Sequence, residues 1–278
     1  MADDDAPART YPHGVPCWVD TEQPDPVAAA RFYTGLFGWA FHEVLPDEAP
    51  GSYLVATLGG RDVAAVGSGE RPGWTTYVAC TDANAAAVAV IEAGGRVLDP
   101  PADAGPGGRA ATCADPDGVQ FRLWQARRRP GAQSVNAPDT WNFSHLHTGD
   151  PERALLFYGS VFGWQHDAEQ GAGMLHVPGY GAHLASTVDP DIHERQAFAP
   201  PGFEDVVAGL VTGKGEPRFE VRFTVADRDA SAATAERLGG VVLSSLDTGW
   251  TRDAEILDPQ GARLTLSQFT PPPTNDGS

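Results

Sequence analysis

The stretch RFYTGLFGW at Arg31–Trp39 returns as LFYGSVFGW at Leu156–Trp164, with the Phe-Tyr pair and the Phe-Gly-Trp triplet unchanged. The turn sequence Asp115-Pro116-Asp117-Gly118 returns as Asp258-Pro259-Gln260-Gly261. A chain that repeats the same helix ending and the same turn must fold as a duplicated module. The first recurrence is spaced by 125 residues and the second by 143. The second half therefore carries about 18 extra residues, and the Pro-, Gly- and charge-rich stretch 189–217 is the expected insertion.

Each half divides again. In the first, Gly14–Gln23 reads as a strand, Asp25-Pro26 as a helix start and Val27–Phe37 as a helix stopped by Gly38. Short strands follow near 41–45, 52–58 and 63–67. The pattern then restarts: strand 74–80, helix 83–93 ended by Gly94-Gly95, and strands near 110–114 and 121–125 around the Asp-Pro-Asp-Gly turn. The second half repeats this order, with strand 141–148, helix 151–162, further strands, strand 218–225, helix 230–238 and strands to Phe269. The unit is strand–helix–strand–strand–strand, four times over. One such unit covers one sheet face with its helix and leaves the other bare, so two units can close their bare faces around a cavity. The expected divisions are a flexible start at 1–10, a first domain at 11–126, a linker at 127–139, a second domain at 140–270 and a disordered tail at 271–278.

Composition narrows the function classes. A net charge of −18 over 278 residues repels phosphate backbones and anionic lipid, so nucleic acid and membranes are not expected partners. The start MADDDAPART has no apolar core and no apolar run approaches 18 residues, which points to the cytoplasm. Cys17, Cys80 and Cys113 are odd in number and widely spaced, and read as free thiols. No Gly-x-Gly-x-x-Gly follows a strand, and neither a Walker loop nor a Gly-x-Ser-x-Gly elbow is present, so no nucleotide cofactor is expected.

The pattern of a strand, then Asp25, Ala29, Phe32, Tyr33, Phe37, Gly38 and Trp39, then Asp115–Gly118, resembles the glyoxalase / bleomycin-resistance / extradiol dioxygenase (vicinal oxygen chelate) superfamily. So does its second copy at Asp150, Ala154, Phe157, Tyr158, Phe162, Gly163, Trp164 and Asp258–Gly261. The tandem arrangement is similar to two-domain actinobacterial members labelled hydroxylases. The resemblance implies an α+β fold of tandem glyoxalase-like domains, each built from two βαβββ modules that form a curved, cleft-bearing mixed sheet. It also implies metal-ligand positions, which here hold Trp18, Thr75 and Arg122 in the first half and Phe143, Glu220 and Thr265 in the second. An indole, a phenyl ring and a guanidinium do not ligate a cation, so no metal cofactor is expected. The repeated aromatics, at helical spacing, are expected to pack the core.

Alternation along the strands sets out two candidate linings. The first holds Trp18, Asp20, Glu22, Thr75, Tyr77, Gln120, Arg122 and Trp124: aromatic walls with two carboxylates and one cation. Asp20 and Glu22 share a strand face, where like charges favour one group as a general acid or base, or Arg122 neutralises one of them. The second lining holds Phe143, His145, His147, Glu220, Arg222, Thr224, Arg263, Thr265 and Ser267. There His145 or His147, beside Glu220, is the candidate for proton transfer, for a shifted metal site, or for an ordinary hydrogen-bonded pocket wall. Three readings follow: a metal-independent protein acting on a hydrophobic or aromatic small molecule in specialised metabolism, as a monomer or homodimer; a non-catalytic drug-binding resistance protein; and a divalent-metal enzyme using the second half.

Overall fold

The computed structural model describes residues 8–166 and 173–271. The first module runs β1 (Pro16–Gln23), α1 (Pro26–Phe37), β2 (Ala40–Glu43), β3 (Tyr53–Leu58) and β4 (Arg61–Ser68). The second runs β5 (Gly73–Ala79), α2 (Ala83–Glu92), β6 (Arg96–Asp103), β7 (Gly108–Ala114) and β8 (Gln120–Ala126). In the second half come β9 (Trp141–Thr148), α3 (Pro151–Phe162), β10 (Gln165–His166), β11 (Met174–His176), α4 (Tyr180–Thr187), α5 (Ile192–Arg195) and β12 (Val206–Thr212). The last module is β13 (Arg218–Thr224), α6 (Arg228–Arg237), β14 (Val241–Asp247), β15 (Thr251–Leu257) and β16 (Arg263–Phe269). The strands order as β2-β3-β4-β1-β5-β8-β7-β6 and β10-β11-β12-β9-β13-β16-β15-β14, two open mixed eight-stranded sheets. The α+β class is the one the resemblance implies, and the tandem module is the one the repeat calls for.

Local sequence explains the elements. Asp25 caps α1 by accepting from the Ala28 amide at 2.9 Å, and Asp150 caps α3 by accepting from Arg153 at 3.1 Å. Gly38 and Gly163 close those helices in the left-handed region, both at φ 72°. Within the repeated motif the unchanged Phe, Tyr and Trp residues are all buried, whereas Arg31 and Leu156 at the variable first position are exposed. β6 completes the three strands that the repeated unit calls for after α2 and is the one left without a range, since Pro100-Pro101 argues against a paired strand. It is an outer strand, where two missing amides cost little.

Two compact units cut across the two halves. One holds the residues to Cys17, Thr76–Gly131 and His145–Phe219; the other holds Trp18–Thr75, Ala132–Ser144 and Glu220 onward. In the first, α2 packs on α3; in the second, α1 packs on α6. Each unit thus marries one module from each half. In the first unit Phe121 meets Phe157, Tyr158 and Phe162 with ring centroids 5.6–6.1 Å apart. In the second, Trp39, Trp74 and Phe37 surround Phe223 at 4.9–5.5 Å. Such tilted and edge-to-face contacts add to the burial of large rings.

The two repeated motifs are partners. Tyr33 donates to Asp258 Oδ2 at 2.8 Å, and Tyr158 donates to Asp115 Oδ2 at 3.1 Å. Each helix tyrosine therefore holds the Asp-Pro-x-Gly turn of the opposite half. The turn aspartates spend their other oxygen on backbone: Asp258 Oδ1 accepts from Gln260, Gly261 and Ala262, and Asp115 Oδ1 from Asp117 and Val119. Burial, then the neighbouring carboxylate, pushes both tyrosine hydroxyls well above their ordinary pKa. Trp39 Nε1 donates to the Asp139 carbonyl at 2.8 Å and Trp164 Nε1 to the Gly14 carbonyl at 2.6 Å. Gly14 and Asp139 occupy matching positions, with φ of 85° and 63°. A Cβ at Gly14 would lie 2.2 Å from the Phe162 carbonyl oxygen, so only glycine fits there.

Three sequence expectations are revised. Residues 127–139 were read as a linker, but they are docked: Trp124 Nε1 donates to the Arg129 carbonyl, and Gln133 and Asp62 exchange hydrogen bonds. Of the start read as flexible, residues 1–7 lie outside the described residues, while Thr10 Oγ1 sits 3.0 Å from His183 Nε2 on α4. Of the tail 271–278, residues 272–278 likewise lie outside them. The stretch 189–217 contains α5, a short 3-10 turn at Phe203–Asp205 and β12, a regular strand parallel to β9. The inserted residues thus lie before β12. Tyr180, Leu184 and Ile192 pack into the core that holds Leu146, on the β9 face opposite His145 and His147, so α4 and α5 are anchored in the core. Among the described residues no helix is long and apolar enough to cross a membrane.

Candidate functional site

On β1 the residues alternate. Thr21 and Gln23 point toward the helix side, where Gln23 Nε2 donates to Asp258 at 2.7 Å. Trp18, Asp20 and Glu22 take the other face. There Trp18 Nε1 donates to the Tyr53 hydroxyl at 3.1 Å, and that hydroxyl donates to Asp20 Oδ2 at 3.0 Å. Asp20 is 1% exposed and Trp18 4% exposed. A buried carboxylate thus ends a relay of two donors, each polarising the next. Glu22 is half-buried beside Gly69, where a Cβ would come 2.6 Å from that of Glu22. Thr75 is half-buried on β5.

The β5–β8 pair, in the other unit, carries the remaining first-half candidates. Tyr77 stands opposite Arg122 and Ala79 opposite Trp124 in parallel register. Arg122 Nη1 donates to the Tyr77 hydroxyl at 2.8 Å, with the guanidinium 5.5 Å from the ring centroid. The Tyr77 and Trp124 rings meet edge-on at 6.2 Å. Gln120, at the strand start, is exposed.

In the second half, β13, β15 and β16 gather a charged cluster. Arg222 bridges two carboxylates, with Nη1 2.7 Å from Glu220 Oε1 and Nη2 2.5 Å from Asp253 Oδ2. Thr265 donates to Glu220 Oε1 at 2.9 Å, Ser267 donates to Asp253 Oδ1 at 2.7 Å, and Arg222 Nη2 also donates to Ser267 at 3.2 Å. The cluster is nearly buried, and its charged groups meet one another through direct bonds. It brings together Glu220, Arg222 and Thr265 as the sequence proposed. Phe143, His145 and His147 are half-buried on one face of β9, alternating with buried Ser144 and Leu146. His145 lies over Gly209 of β12; a Cβ there would fall 2.5 Å from its ring, so the missing side chain makes the seat for the imidazole. His145 and His147 belong to one unit and Glu220 to the other.

Two residues were missed. Tyr53 completes the Trp18–Asp20 relay from β3. Its strand was legible, but no turn or repeat fixes its register against β1. Asp253 lies opposite Ser267 in the β15–β16 ladder. Its signal was the alternation Thr251, Asp253, Glu255 against buried Ala254 and Ile256.

The glyoxalase-like domain model matches residues 18–124 and again 144–267, so this chain belongs to the glyoxalase-like domain family. Among named relatives, CFP32 of Mycobacterium tuberculosis is 33% identical over 270 residues, covering 94% of this chain and 97% of that one. The anthracycline biosynthesis protein DnrV of Streptomyces peucetius is 33% identical over 275 residues, covering 92% and 94%. Among solved structures, the Mn(II)-bound glyoxalase of Novosphingobium aromaticivorans superposes with a TM-score of 0.58 at 15% identity, over 93% of this chain and 84% of that one. At that identity it shares the fold alone.

The donor set here does not match a divalent-metal site at the positions the resemblance implies. Trp18 and Arg122 are not metal donors and are bonded to Tyr53 and Tyr77, and the Glu220 carboxylate is paired with Arg222. Among the described residues no group of three or more His, Cys, Asp and Glu side chains is gathered as a metal site.

Proposed function

We propose that this chain binds a flat, largely apolar small molecule of specialised metabolism and acts on it by metal-independent proton transfer, of the cyclisation, hydration or rearrangement kind. The Trp18→Tyr53→Asp20 relay carries this reading. Aromatic side chains supply a wall for a planar ligand. Asp20 is the proton acceptor. Tyr53 positions it, and the indole N–H donated to the Tyr53 oxygen strengthens the phenol's own donation to the carboxylate. Glu22, His145, His147 and Glu220 are the further candidates for proton transfer. The names of two relatives, the anthracycline biosynthesis proteins DnrV and DauV of Streptomyces sp. strain C5, support a place in specialised metabolism.

A second reading, a binding protein without turnover, is favoured by the Glu220–Arg222–Asp253 cluster. Two carboxylates around one guanidinium leave this nearly buried cluster net negative, a potential that suits a cationic ligand.

Native mass spectrometry of the untagged protein, before and after EDTA, tests both. A metal-free mass carrying an organic adduct supports the pocket readings. Conversion of the co-purified small molecule that survives EDTA and is lost in Asp20→Asn supports the first; ligand recovered unchanged supports the second. One divalent ion per chain, stripped by EDTA with loss of activity, overturns both and returns His145, His147 and Glu220 as the site.

A further inference from the structure

The Tyr53 hydroxyl joins Trp18 to Asp20, yet Tyr53 is the first residue of β3. It follows a largely exposed connection, residues 44–52, that carries Pro46, Pro50 and Gly51. Two-residue turns fix the register of a hairpin; a connection of this length does little to fix it. A one-residue slip of β3 would turn the phenol to the opposite face of the sheet and take its oxygen away from both partners.

A carboxylate closes this connection. Glu43, the last residue of β2, accepts on Oε1 from the amides of Val44, Leu45 and Tyr53, each at 2.9 Å. Beside it the Ser52 amide donates to Ser68 Oγ at 2.8 Å, and the Ser68 amide donates to the Ser52 carbonyl at 2.9 Å. Tyr53 then stands opposite Gly67 of β4, and Gly67 stands opposite Glu22 of β1. Directly opposed residues point to one face, so Tyr53 shares the face of Glu22 and Asp20. A Cβ at Gly67 would come 3.2 Å from Tyr53 Cδ2, so the ring lies across the glycine. Burial pushes the Glu43 carboxyl up, and the bonds from Leu45, Tyr53, Ser52 and Val44 more than offset it, so its pKa is lowered. Bonds from amides to an ionised carboxylate are stronger than those to a neutral acceptor.

We propose that Glu43 is a positioning residue for the Trp18–Tyr53–Asp20 relay: its side chain pins the start of β3 in the register that brings the Tyr53 hydroxyl to Asp20, with Gly67 as the seat of the ring. The inference rests on the reading of that relay as the proton-transfer site. Glu43 itself touches neither Trp18 nor Asp20; it acts through the backbone of Tyr53. The relay thus depends on a residue of β2, an outer strand two places from β1 and its carboxylate in the sheet order.

The indole N–H signal of Trp18 in nitrogen–proton correlation spectra of the full chain tests this, because that proton is donated to Tyr53. Trp18→Phe assigns the signal, and Tyr53→Phe marks where it falls when the bond is lost. Glu43→Ala should move it in the direction of Tyr53→Phe and make the proton exchange about tenfold faster, as the loss of one ordinary hydrogen bond does. Glu43→Gln keeps an oxygen for the three amides and should hold the signal near its wild-type place. Glu48→Ala, an exposed carboxylate of the same connection, should leave it unmoved. The indole signals of Trp39 and Trp164, bonded to the Asp139 and Gly14 carbonyls, should stay in place throughout. A Trp18 signal unmoved in Glu43→Ala overturns the proposal, and so does one that moves only together with those of Trp39 and Trp164. Should Glu43→Ala not fold, Glu43→Leu, of similar size and without an acceptor, decides. Conversion of the co-purified small molecule should fall in Glu43→Ala and return in Glu43→Gln. If the indole signal moves as expected and conversion is untouched even in Tyr53→Phe, the positioning stands and the reading of the relay as the proton-transfer site falls.

Discussion

Tyr33 and Asp258 stand 225 residues apart in the chain and 2.8 Å apart at their oxygens. Tyr158 and Asp115 repeat the arrangement with the halves exchanged. The repeated helix ending and the repeated turn are two ends of one bond, made twice.

Tyr33→Phe and Tyr158→Phe should therefore each destabilise the protein by about 1–3 kcal/mol, because each leaves a buried carboxylate short of a donor. Thermal melting should fall by several degrees in each. Asp115 adds a pH signature. Burial raises its pKa, while the Tyr158 hydroxyl is among the bonds that hold it down. The folded state thus holds this proton more tightly than the unfolded chain, and stability falls as pH rises from the ordinary carboxylate range through the raised value. Removing the hydroxyl raises that value further. Melting of Tyr158→Phe should accordingly drop more between acidic and neutral pH than melting of wild type.

Arg222→Met should cost about 3–5 kcal/mol, since it strands Glu220 and Asp253 as buried carboxylates without a cation. Thr265→Val removes one donor from Glu220 and should cost about 1 kcal/mol. Chemical denaturation of the two variants side by side checks the ratio. Equal, small losses would mean that the cluster is hydrated.

Gly209→Ala should leave the fold standing and displace the His145 ring, the nearest group to the new methyl. If His145 serves the ligand, Gly209→Ala and His145→Ala should weaken binding in parallel. Isothermal titration with the co-purified ligand, together with the imidazole proton signals of both variants, reads this out.

Cys17, Cys80 and Cys113 are all buried and free. Burial pushes the Cys80 and Cys113 thiols up to about 12. Native protein should resist iodoacetamide at neutral pH, and denatured protein should take up three labels. The unfolded thiols ionise near about 8.5. The folded state keeps its protons longer, so these residues make stability fall as pH climbs from that value toward about 12. The denaturation midpoint of Cys80→Ala should be less sensitive to alkali than that of wild type.

Much of this architecture was legible in the sequence because it is written in short-range signals. Asp25 and Asp150 announce helix starts, Gly38 and Gly163 announce stops, and the spacing of Phe32, Tyr33 and Phe37 fixes a buried face. The alternation on β1, β9 and β13 likewise grouped Trp18 with Asp20 and Glu220 with Arg222. Contacts set by long-range register were not legible. Nothing near Tyr53 states that β3 will deliver its hydroxyl to Asp20, and nothing near Asp253 states that it will face Ser267. Helix α5 was missed for a related reason: the Pro- and Gly-rich stretch 189–217 argues for a loop, and burial of Ile192 overrides that local preference; α4, just before it, stands where the repeat calls for strands, and burial of Tyr180 and Leu184 holds it.

The composition of the two units sets an order of assembly on the ribosome. The unit holding Thr76–Gly131 and His145–Phe219 has every segment it needs once Phe219 emerges. The other begins at Trp18 yet takes its last segment from Glu220 onward, so α1 must wait for α6. The first helix to be synthesised is thus among the last to find its mate. A chain stopped after its first half would lack Phe223, the ring partner of Phe37 and Trp39, and Asp258, the acceptor of the Tyr33 hydroxyl. Neither sequence half holds all the segments of one compact unit, so the second unit closes only when the last quarter of the chain has been made.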